Sequence, residues 1–466
     1  MLGPMRLFGL EWFGRAVPPA AALCLLLSSA PALAVGEVIT DVRVLDNQRT
    51  EEDTIRSIAG VRIGDTLELD TLETVRERLN SSGLFADTNV WWEQAAAGVR
   101  VNIAVKDKFP WAPVPTASWS ANNKAFGLLF VHGNLFGRGK QLLVGGRIAT
   151  VDSGAVLAYR DPALFGSWGY WQLQGSFKRE VLPEYDPHML APDNALRETL
   201  LTTFAFEPSF GIAWFRRVRT QVAWRLSKVE VNDDASKDPV SSNVIQLATR
   251  GATVGMGRAN VTFDFRAREF SVMTGSSLGA GLDVASPGFK SDLTFWRAGV
   301  GFEQGIKFFK SHNFIYSASA TTGHNLPLWM ENTAGGPDLR GYLYQQFRGD
   351  SQIAAKAEYH FPLFSVGSMD FRALAFYDAS AIWFREQLPM MNPGSGDMNY
   401  TIRDTPDQRT FPAAIQQGFD ANRDIHTAVG GGLRFFLRSV AVPLVGFDAG
   451  YGIEAHAWRF TLIVGA

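Results

Sequence analysis

The stretch "IAAKAEYHF" (353–361) decides how the long second part of this 466-residue chain is interpreted. Its side chains alternate between apolar and polar, which is the two-residue period of a β-strand whose two faces have different surroundings. The same period recurs in "YWQLQGSFK" (170–178) and "WRFTLIVGA" (458–466). A soluble sandwich and a membrane barrel both alternate, so the period alone leaves both open. In the first stretch, one face carries Ile353, Ala355, Ala357, Tyr359 and Phe361, and the other carries Lys356, Glu358 and His360.

The lengths of the connections between these strands favour the barrel. Roughly sixteen strands of about 8–14 residues follow residue 110, and strands of that length cross a bilayer when tilted. Bacterial outer-membrane barrels have short turns on the periplasmic side and long loops outside. The pattern predicts a mostly β fold, with a 16-stranded transmembrane antiparallel β-barrel over residues 110–466. Short connections are expected at 134–139, 161–167, 362–368 and near Ser439, and long ones, each after an odd-numbered strand, at 180–196, 232–243, 324–350 and 384–424.

The first 34 residues have the features of a secretory signal peptide. Arg6 and Arg15 supply positive charge, residues 17–27 are mostly apolar, and "ALA" (32–34) offers small residues for cleavage. The single cysteine, Cys24, lies in this segment, so a mature chain has no disulfide and no thiol nucleophile. The net charge of −2 gives no indication of nucleic acid as a partner.

Residues 36–108 predict one small α+β domain with the order strand, helix, helix, strand, strand (βααββ). "VITDVRVLDN" (38–47) alternates like a strand. "EEDTIRSIAG" (51–60) and "LDTLETVRERLNSSG" (69–83) read as helices that end at glycine. Residues 84–94 and 98–107 then read as a hairpin. The apolar face of the second helix is expected to comprise Leu69, Leu72, Val75 and Leu79.

This domain resembles the POTRA (polypeptide-transport-associated) module. The matching features are "GLF" (83–85) before the second strand and the closing "VNIAVKDK" (101–108). Such modules bind unfolded chains by adding a strand to an exposed sheet edge. The resemblance implies that client proteins bind a strand edge near residues 88–106.

The second part contains an ordered series of motifs: "GNLFGRG" (133–139), "RDPALFGS" (160–167), "GGPDLRGY" (335–342), "FRGD" (347–350), "FYDAS" (376–380) and "AVGGGLRFF" (428–436). This series resembles the BamA/TamA-type outer-membrane protein assembly and translocation superfamily, also described as the bacterial surface antigen family. The resemblance covers essentially the whole mature chain. "FYDAS" departs from the family pattern, because Ser380 stands where the family prefers glycine.

The resemblance implies a site in which the sixth outer loop folds back into the barrel. Its arginine, here Arg340, would contact acidic groups on the inner wall. The alternation places Asp378 and Glu358 on the inner face, where a guanidinium fork suits a carboxylate. Gly341 lets the backbone pack closely. The expected loop–lumen lock comprises Arg340, Gly341, Tyr342, Asp378 and Glu358, and Asp448 also faces the lumen.

No catalytic residue, cofactor or metal site is expected. "GSSLG" (275–279) matches a nucleophile pattern, but it opens a predicted barrel strand and no helix follows it. The seven histidines are scattered, and no two have the His-x-x-x-His spacing of a zinc site.

The function implied by the resemblance is assistance in the insertion, assembly or translocation of other proteins at the outer membrane of a Gram-negative bacterium. The expected partners are unfolded outer-membrane or secreted clients, the lipid bilayer, and periplasmic chaperones or accessory lipoproteins. Two alternatives stay open. One is a dedicated two-partner-type secretion pore, whose relatives usually carry two POTRA modules and a plug helix. The other is a passive surface barrel or channel, which has no need of the first domain.

Overall fold

The computed structural model describes most of the chain from residue 36 onward. The predicted signal peptide (1–34) and the short connection near Ser439 lie outside the described residues. None of the described helices is long and apolar enough to cross a membrane. The described residues are 36–164, 169–185, 189–195, 197–215, 217–236, 251–269, 271–385, 390–391, 399–402, 409–412, 425–437 and 443–465.

The described elements are mostly strands. The helices are α1 (Glu52–Ala59) and α2 (Thr71–Ser82), with 3₁₀ turns at Pro287–Phe289 and Leu328–Met330. The strands are β1 (Ile39–Leu45), β2 (Phe85–Ala95), β3 (Gly98–Asp107), β4 (Trp111–Trp119), β5 (Lys124–Leu135), β6 (Lys140–Ala149), β7 (Asp152–Leu164), β8 (Gly169–Glu184), β9 (Arg197–Phe215), β10 (Val218–Ser236), β11 (Ala252–Asp264), β12 (Ala267–Glu269), β13 (Val272–Ala285), β14 (Phe295–Phe308), β15 (His312–His324), β16 (Asn332–Ala334), β17 (Phe347–Gly349), β18 (Ser351–Val366), β19 (Met369–Trp383), β20 (Met390–Met391), β21 (Asn399–Ile402), β22 (Arg409–Pro412), β23 (His426–Leu437), β24 (Pro443–Gly452) and β25 (Ala457–Val464).

The first elements form a small α+β domain with its own core. Its sheet has the order β1-β3-β2, with β1 parallel and β2 antiparallel to β3. The two helices contribute Ile55, Val75 and Leu79 to the buried cluster. The expectation that Leu69 shares this face is wrong: α2 begins at Thr71, and Leu69 precedes it with 80% of its surface exposed.

The sheet order corrects the expected client edge near residues 88–106. Strand β3 lies between β1 and β2, so its backbone groups are paired on both sides. Among the described residues, the open edge of this hairpin belongs to β2 alone, since β2 pairs only with β3. A strand can be added to a sheet only where backbone groups lack partners.

The remaining long strands form a closed antiparallel barrel of sixteen strands, in which β12 prolongs β11 along β13. The strands that precede the predicted long connections, β8, β10, β15 and β19, are all odd-numbered in the barrel and end at the same end of it. Two of these connections begin later than predicted, because β8 continues to Glu184 and β10 to Ser236, and residues 237–243 lie outside the described residues. Two expected turns are shorter than predicted. Strand β7 continues to Leu164 and β18 to Val366, so residues 161–164 and 362–366 belong to the wall.

The wall is apolar outside and polar inside, which reverses the arrangement of a soluble protein. Large apolar side chains with exposed surface include Phe126, Leu128, Ile148, Phe204, Phe206, Trp458 and Phe460. Charged and polar side chains buried within the barrel include His360, Arg372, Asp378, Ser380 and Asp448.

The loop between β15 and β18, residues 325–350, is here called the sixth loop. It contains the β16–β17 hairpin, in which Asn332 pairs with Gly349. Its Leu339, Tyr342 and Phe347 pack in a buried cluster with Ile382 and Ala428 of the barrel wall. In the predicted long connection 384–424, the strands among the described residues are β20, β21 and β22, which pair in one small antiparallel sheet.

Candidate functional site

The tip of the sixth loop places Arg340 against Asp378 of β19. A tight turn forms because Gly336 N–H donates to Tyr342 O at 3.2 Å and Tyr342 N–H donates to Leu339 O at 3.3 Å. Arg340 Nε and Nη2 donate to the two oxygens of Asp378, each at 2.7 Å. The Arg340 backbone N–H adds a third bond to Asp378 at 3.1 Å. Both residues are buried, so this is a bidentate ion pair shielded from water.

Further charged groups surround the pair. Arg340 Nη1 donates to Glu358 Oε1 at 2.6 Å and lies 3.6 Å from Asp448 Oδ2. Glu358 also contacts His360 Nε2 at 2.8 Å. Asp448 accepts two bonds from Arg434, at 2.7 and 2.8 Å. The guanidinium of Arg340 thus meets three carboxylates, which compensates for its removal from water.

The Arg340 guanidinium also stacks on Phe376, which the sequence analysis did not single out. Its Cζ atom lies 3.5 Å from the centroid of the Phe376 ring. A side chain at Gly430 would place its Cβ 2.4 Å from Phe376 Cζ, so that glycine makes room for the ring. Its position in the sequence could have identified it, because Phe376 precedes Asp378 by two residues and therefore lies on the same face of the strand.

Three glycines let the loop backbone touch the barrel wall. Gly341 has φ +111°, and a Cβ there would lie 2.5 Å from Gly452 N. A Cβ at Gly450 would lie 2.8 Å from the carbonyl carbon of Arg340. Gly450 and Gly452 were not predicted as site residues, although "GFDAGYG" (446–452) repeats glycine with the period of one strand face.

Tyr342 connects the loop tip to the outer loop 453–456 between β24 and β25. Its hydroxyl donates to Glu454 Oε2 and lies 3.4 Å from Thr427 O. Glu454 also accepts bonds from Thr427 N–H at 2.8 Å and Thr427 Oγ1 at 2.6 Å. Burial together with the adjacent carboxylate raises the pKa of Tyr342, so the phenol keeps the proton that it donates.

The other side of the sixth loop contacts the first outer loop. Asn122, between β4 and β5, donates through Nδ2 to Tyr344 O at 3.2 Å and accepts from Tyr344 N–H at 3.0 Å. Gln346 Nε2 of the sixth loop also donates to Leu190 O, in the connection between β8 and β9, at 2.9 Å. The sixth loop therefore spans from the β4–β5 hairpin to the β24–β25 hairpin.

These two hairpins flank the closure of the barrel, here called the seam, where β4 pairs with β25. Only Leu462–Trp119, Ile463–Ser118 and Val464–Ala117 are paired there among the described residues. By contrast, β8 and β9 pair from Gly169 to Glu184 of β8. The seam is therefore the shortest contact between neighbouring full-length strands of the described wall.

The α+β domain contacts the barrel at the short-turn end, through the segment 47–51. Asp107 accepts hydrogen bonds from the backbone N–H groups of Gln48 and Arg49 at 2.8 Å and from the Thr50 hydroxyl. Thr50 Oγ1 accepts from Asn134 Nδ2 at 2.8 Å. Burial opposes ionisation of Asp107, but these bonds lower its pKa.

The same segment covers the turn in "GNLFGRG". Glu51 N–H donates to Gly137 O at 2.8 Å, and Arg138 pairs with Glu51 at 3.0 Å. A Cβ at Gly137, which has φ +70°, would lie 2.5 Å from Arg49 O. This motif therefore forms the surface on which the first domain rests.

A closed sixteen-stranded barrel, a sixth loop folded inward and fixed by an arginine, and a preceding small α+β domain are the features that the resemblance to the BamA/TamA-type superfamily implies. The Omp85 superfamily domain matches residues 134–437, and the chain belongs to that superfamily. The resemblance to BamA/TamA-type proteins is thereby confirmed. Membership is consistent with outer-membrane protein insertion or secretion.

Solved structures of the same fold include a BamA and two CdiB proteins. A BamA from Haemophilus ducreyi lacking POTRA domains 1–3 aligns over 92% of this chain and 84% of its own, with a TM-score of 0.63 and 12% identity. CdiB from Acinetobacter baumannii aligns over 92% and 74%, with a TM-score of 0.58 and 11% identity. CdiB from Escherichia coli aligns over 96% and 94%, with a TM-score of 0.55 and 11% identity. No curated protein matches this chain in sequence.

Proposed function

We propose that this protein is an outer-membrane barrel that assists the insertion, assembly or translocation of other proteins. Residues 36–108 act as a POTRA-like periplasmic domain and residues 110–466 as the transmembrane barrel. Residues 1–34 act as the signal peptide. The observation that carries the proposal is the seam of three residue pairs, the fewest between neighbouring full-length strands of the described wall, next to a domain with an open strand edge.

The apolar outer surface of the wall supports the proposal that the barrel is inserted in a lipid bilayer. Outward side chains such as Leu128, Phe206 and Trp458 are exposed, and water would oppose that arrangement. Aromatic side chains also project at the short-turn end, where Phe136 is 75% and Phe309 is 81% exposed. Aromatic rings at the level of the headgroups are typical of membrane barrels. We therefore place the short turns and the α+β domain on the periplasmic side.

The seam supports action on other polypeptides. An unpaired N–H or C=O group in lipid costs several kcal/mol, so a client segment that pairs with an incompletely paired strand edge is stabilised. Opening the seam breaks the hydrogen bonds of only three residue pairs. We propose that Arg340, Gly341, Tyr342, Asp378 and Glu358 keep the sixth loop inside the barrel while the seam opens.

The edge of β2 supports delivery from the periplasm. Client strands are proposed to add there by backbone pairing, as in other edge-strand recognition. No bond is made or broken in this role, and it needs no cofactor. Periplasmic chaperones or accessory lipoproteins are further proposed partners.

Crosslinking in cells tests the proposal and its two alternatives. A photoreactive residue at Asn89, exposed on the edge strand β2, is compared with one at Lys106, exposed on the central strand β3. Several barrel proteins captured at Asn89 and few at Lys106 is the expected result. Capture of one exported protein would instead indicate a dedicated secretion pore. Equal absence of captured clients at both positions would indicate a passive barrel.

A further inference from the structure

Alternate residues of β4 direct their backbone groups to opposite neighbours, and the structure fixes which ones face the seam. The N–H and C=O groups of one strand residue point to the same side, and those of the next residue point to the other. Gly133 N–H of β5 donates to Pro110 O at 2.7 Å, so even-numbered residues face β5. A Cβ at Gly465 would lie 2.2 Å from Pro115 O, so odd-numbered residues face the seam. The unbroken register of β4 with β5 carries this parity from Trp111 to Trp119.

Two of the seam-facing residues are prolines. Between Trp111 and Thr116 the seam side presents the backbone groups of Trp111, Pro113 and Pro115. Proline has no N–H, so this stretch offers three carbonyl oxygens but only the N–H of Trp111. No described residue of β25 pairs with this stretch, because the pairs of the seam begin at Ala117.

We propose that the β4 edge from Trp111 to Thr116 is a binding surface that accepts hydrogen bonds but hardly donates them. Its partner is an extended segment of a client polypeptide, which must supply N–H groups at alternate residues. This inference rests on the proposed function and deepens it by specifying how the client strand is held. Each proline at a residue of the segment that faces β4 weakens binding, because it leaves one of these three carbonyls without a donor.

The missing donors also explain how the edge can exist unpaired. A buried N–H without a partner is rarer in proteins than an under-satisfied carbonyl oxygen. Two prolines remove the groups that lipid would penalise while the edge is empty. A bound segment receives at most one N–H from β4 over this stretch and donates to three carbonyls. It is therefore held by about two thirds of the bonds of an ordinary ladder and can be released.

Synthetic peptides test the proposal on the full-length protein in lipid nanodiscs. The probe has the sequence of Ala457–Val464, because β25 is the segment that already pairs with β4. Esters replace the amides of alternate residues, which removes N–H groups without adding bulk. In one peptide they replace the amides whose N–H groups point to β4, here called the facing phase. In a second peptide they replace the amides whose N–H groups point away from β4, the opposite phase. With each lost bond contributing about 1 kcal/mol, esters in the facing phase are expected to weaken binding about tenfold or more. Esters in the opposite phase leave binding within about twofold.

The variant Pro113→Ala/Pro115→Ala restores two donors and is expected to slow peptide dissociation by about tenfold. Pro208→Ala in β9, a proline of the wall away from the seam, is the matched control and leaves dissociation unchanged. Equal tolerance of esters in both phases, or unchanged dissociation from the double variant, overturns the proposal. Failure of the proposed function is a separate result, since client capture at Asn89 in cells does not depend on the ester phase.

Discussion

Asn122 and Tyr344 lie 222 residues apart in the sequence, and the side-chain amide of the first pairs with both backbone groups of the second. Tyr342, two residues earlier, reaches Glu454 on the opposite side of the seam. The sixth loop therefore joins the outer ends of the hairpins that flank the closure. Because the seam itself has only three residue pairs, these side-chain contacts add substantially to what keeps it closed.

Removing the loop contact is expected to loosen the seam. Asn122→Ala deletes three hydrogen bonds of about 1 kcal/mol each, two with Tyr344 and one in which Asn122 Nδ2 donates to the Tyr185 hydroxyl at 2.9 Å. Amides of Trp111–Trp119 should therefore exchange with deuterium about tenfold faster or more. The measurement is hydrogen exchange of the protein in nanodiscs, followed by mass spectrometry.

Asn313 provides a matched control for this variant. Its amide makes the same pair of bonds with the backbone of Met273, at 2.7 and 2.8 Å, in a different part of the wall. Asn313→Ala should leave exchange in β4 unchanged. If both variants accelerate hydrogen exchange in β4 equally, the effect is general destabilisation, and the contact of the sixth loop with Asn122 does not specifically stabilise the seam.

Loss of the guanidinium at the centre of the site is expected to weaken the barrel. Arg340→Ala leaves Asp378 buried without its partner, and such changes cost about 3–5 kcal/mol. Arg340→Lys keeps the charge but loses the fork, so an intermediate loss is expected. Urea unfolding in lipid vesicles and the heat-modified gel shift measure the effect, while the α+β domain stays folded.

The exposed pair of Arg56 and Glu52 in α1 is the control for charge removal. Its side chains are about half exposed, and such pairs contribute about 0–1 kcal/mol. A barrel as stable in Arg340→Ala as in Arg56→Ala would contradict a structural role for the buried pair.

A methyl group at Gly341 is expected to displace the loop tip. The Cβ would lie 2.5 Å from Gly452 N, and the positive φ adds strain, so Gly341→Ala should lose about 1–3 kcal/mol. Faster proteolysis within residues 336–346 would report the displacement. A Cβ added at Gly301 in β14 would meet nothing within 4 Å, so Gly301→Ala should behave like the parent protein.

The contact between the α+β domain and the barrel is expected to depend on pH through Asp107. The hydrogen bonds lower its pKa in the folded protein, so their stabilisation is fully present above about pH 4, the ordinary value for aspartate. It is lost as the pH falls through the lowered folded pKa. Spin labels at the exposed residues Glu93 and Phe309 should give a broader distance distribution at low pH.

Asp107→Asn should show the broader distribution at neutral pH and remove most of the pH dependence. Asp65→Asn is the control, because the exposed Asp65 accepts one backbone bond, from Arg62 at 2.8 Å. If Asp107→Asn gives the same narrow distance distribution as the parent at neutral pH, another contact fixes the domain.

Much of the fold can be predicted from local sequence. Alternation in residues 353–361 places Glu358 and His360 inside and Ile353 outside, because successive strand side chains point to opposite faces. The glycines at 60 and 83 end the two helices since each adopts a left-handed conformation. The expectation for Leu69 failed because an apolar period does not fix where a helix begins.

The site was only partly accessible to such reasoning. Arg340, Asp378 and Glu358 could be chosen by motif and parity, and the structure brings their charged groups together. Phe376, Gly450 and Glu454 were missed, since each acts through a contact with a distant segment. Their identities carry little local signal, because an aromatic, a glycine or an acid is ordinary in a barrel strand or loop.

The sequence by itself determined the strands, the face on which each side chain lies, and the two prolines that remove donors from β4. The tertiary structure alone decided that those prolines face the seam, that the seam has three residue pairs, and that Asn122 meets Tyr344. The reason is physical: side-chain alternation follows from the geometry of each residue, whereas register and closure depend on how all sixteen strands pair at once.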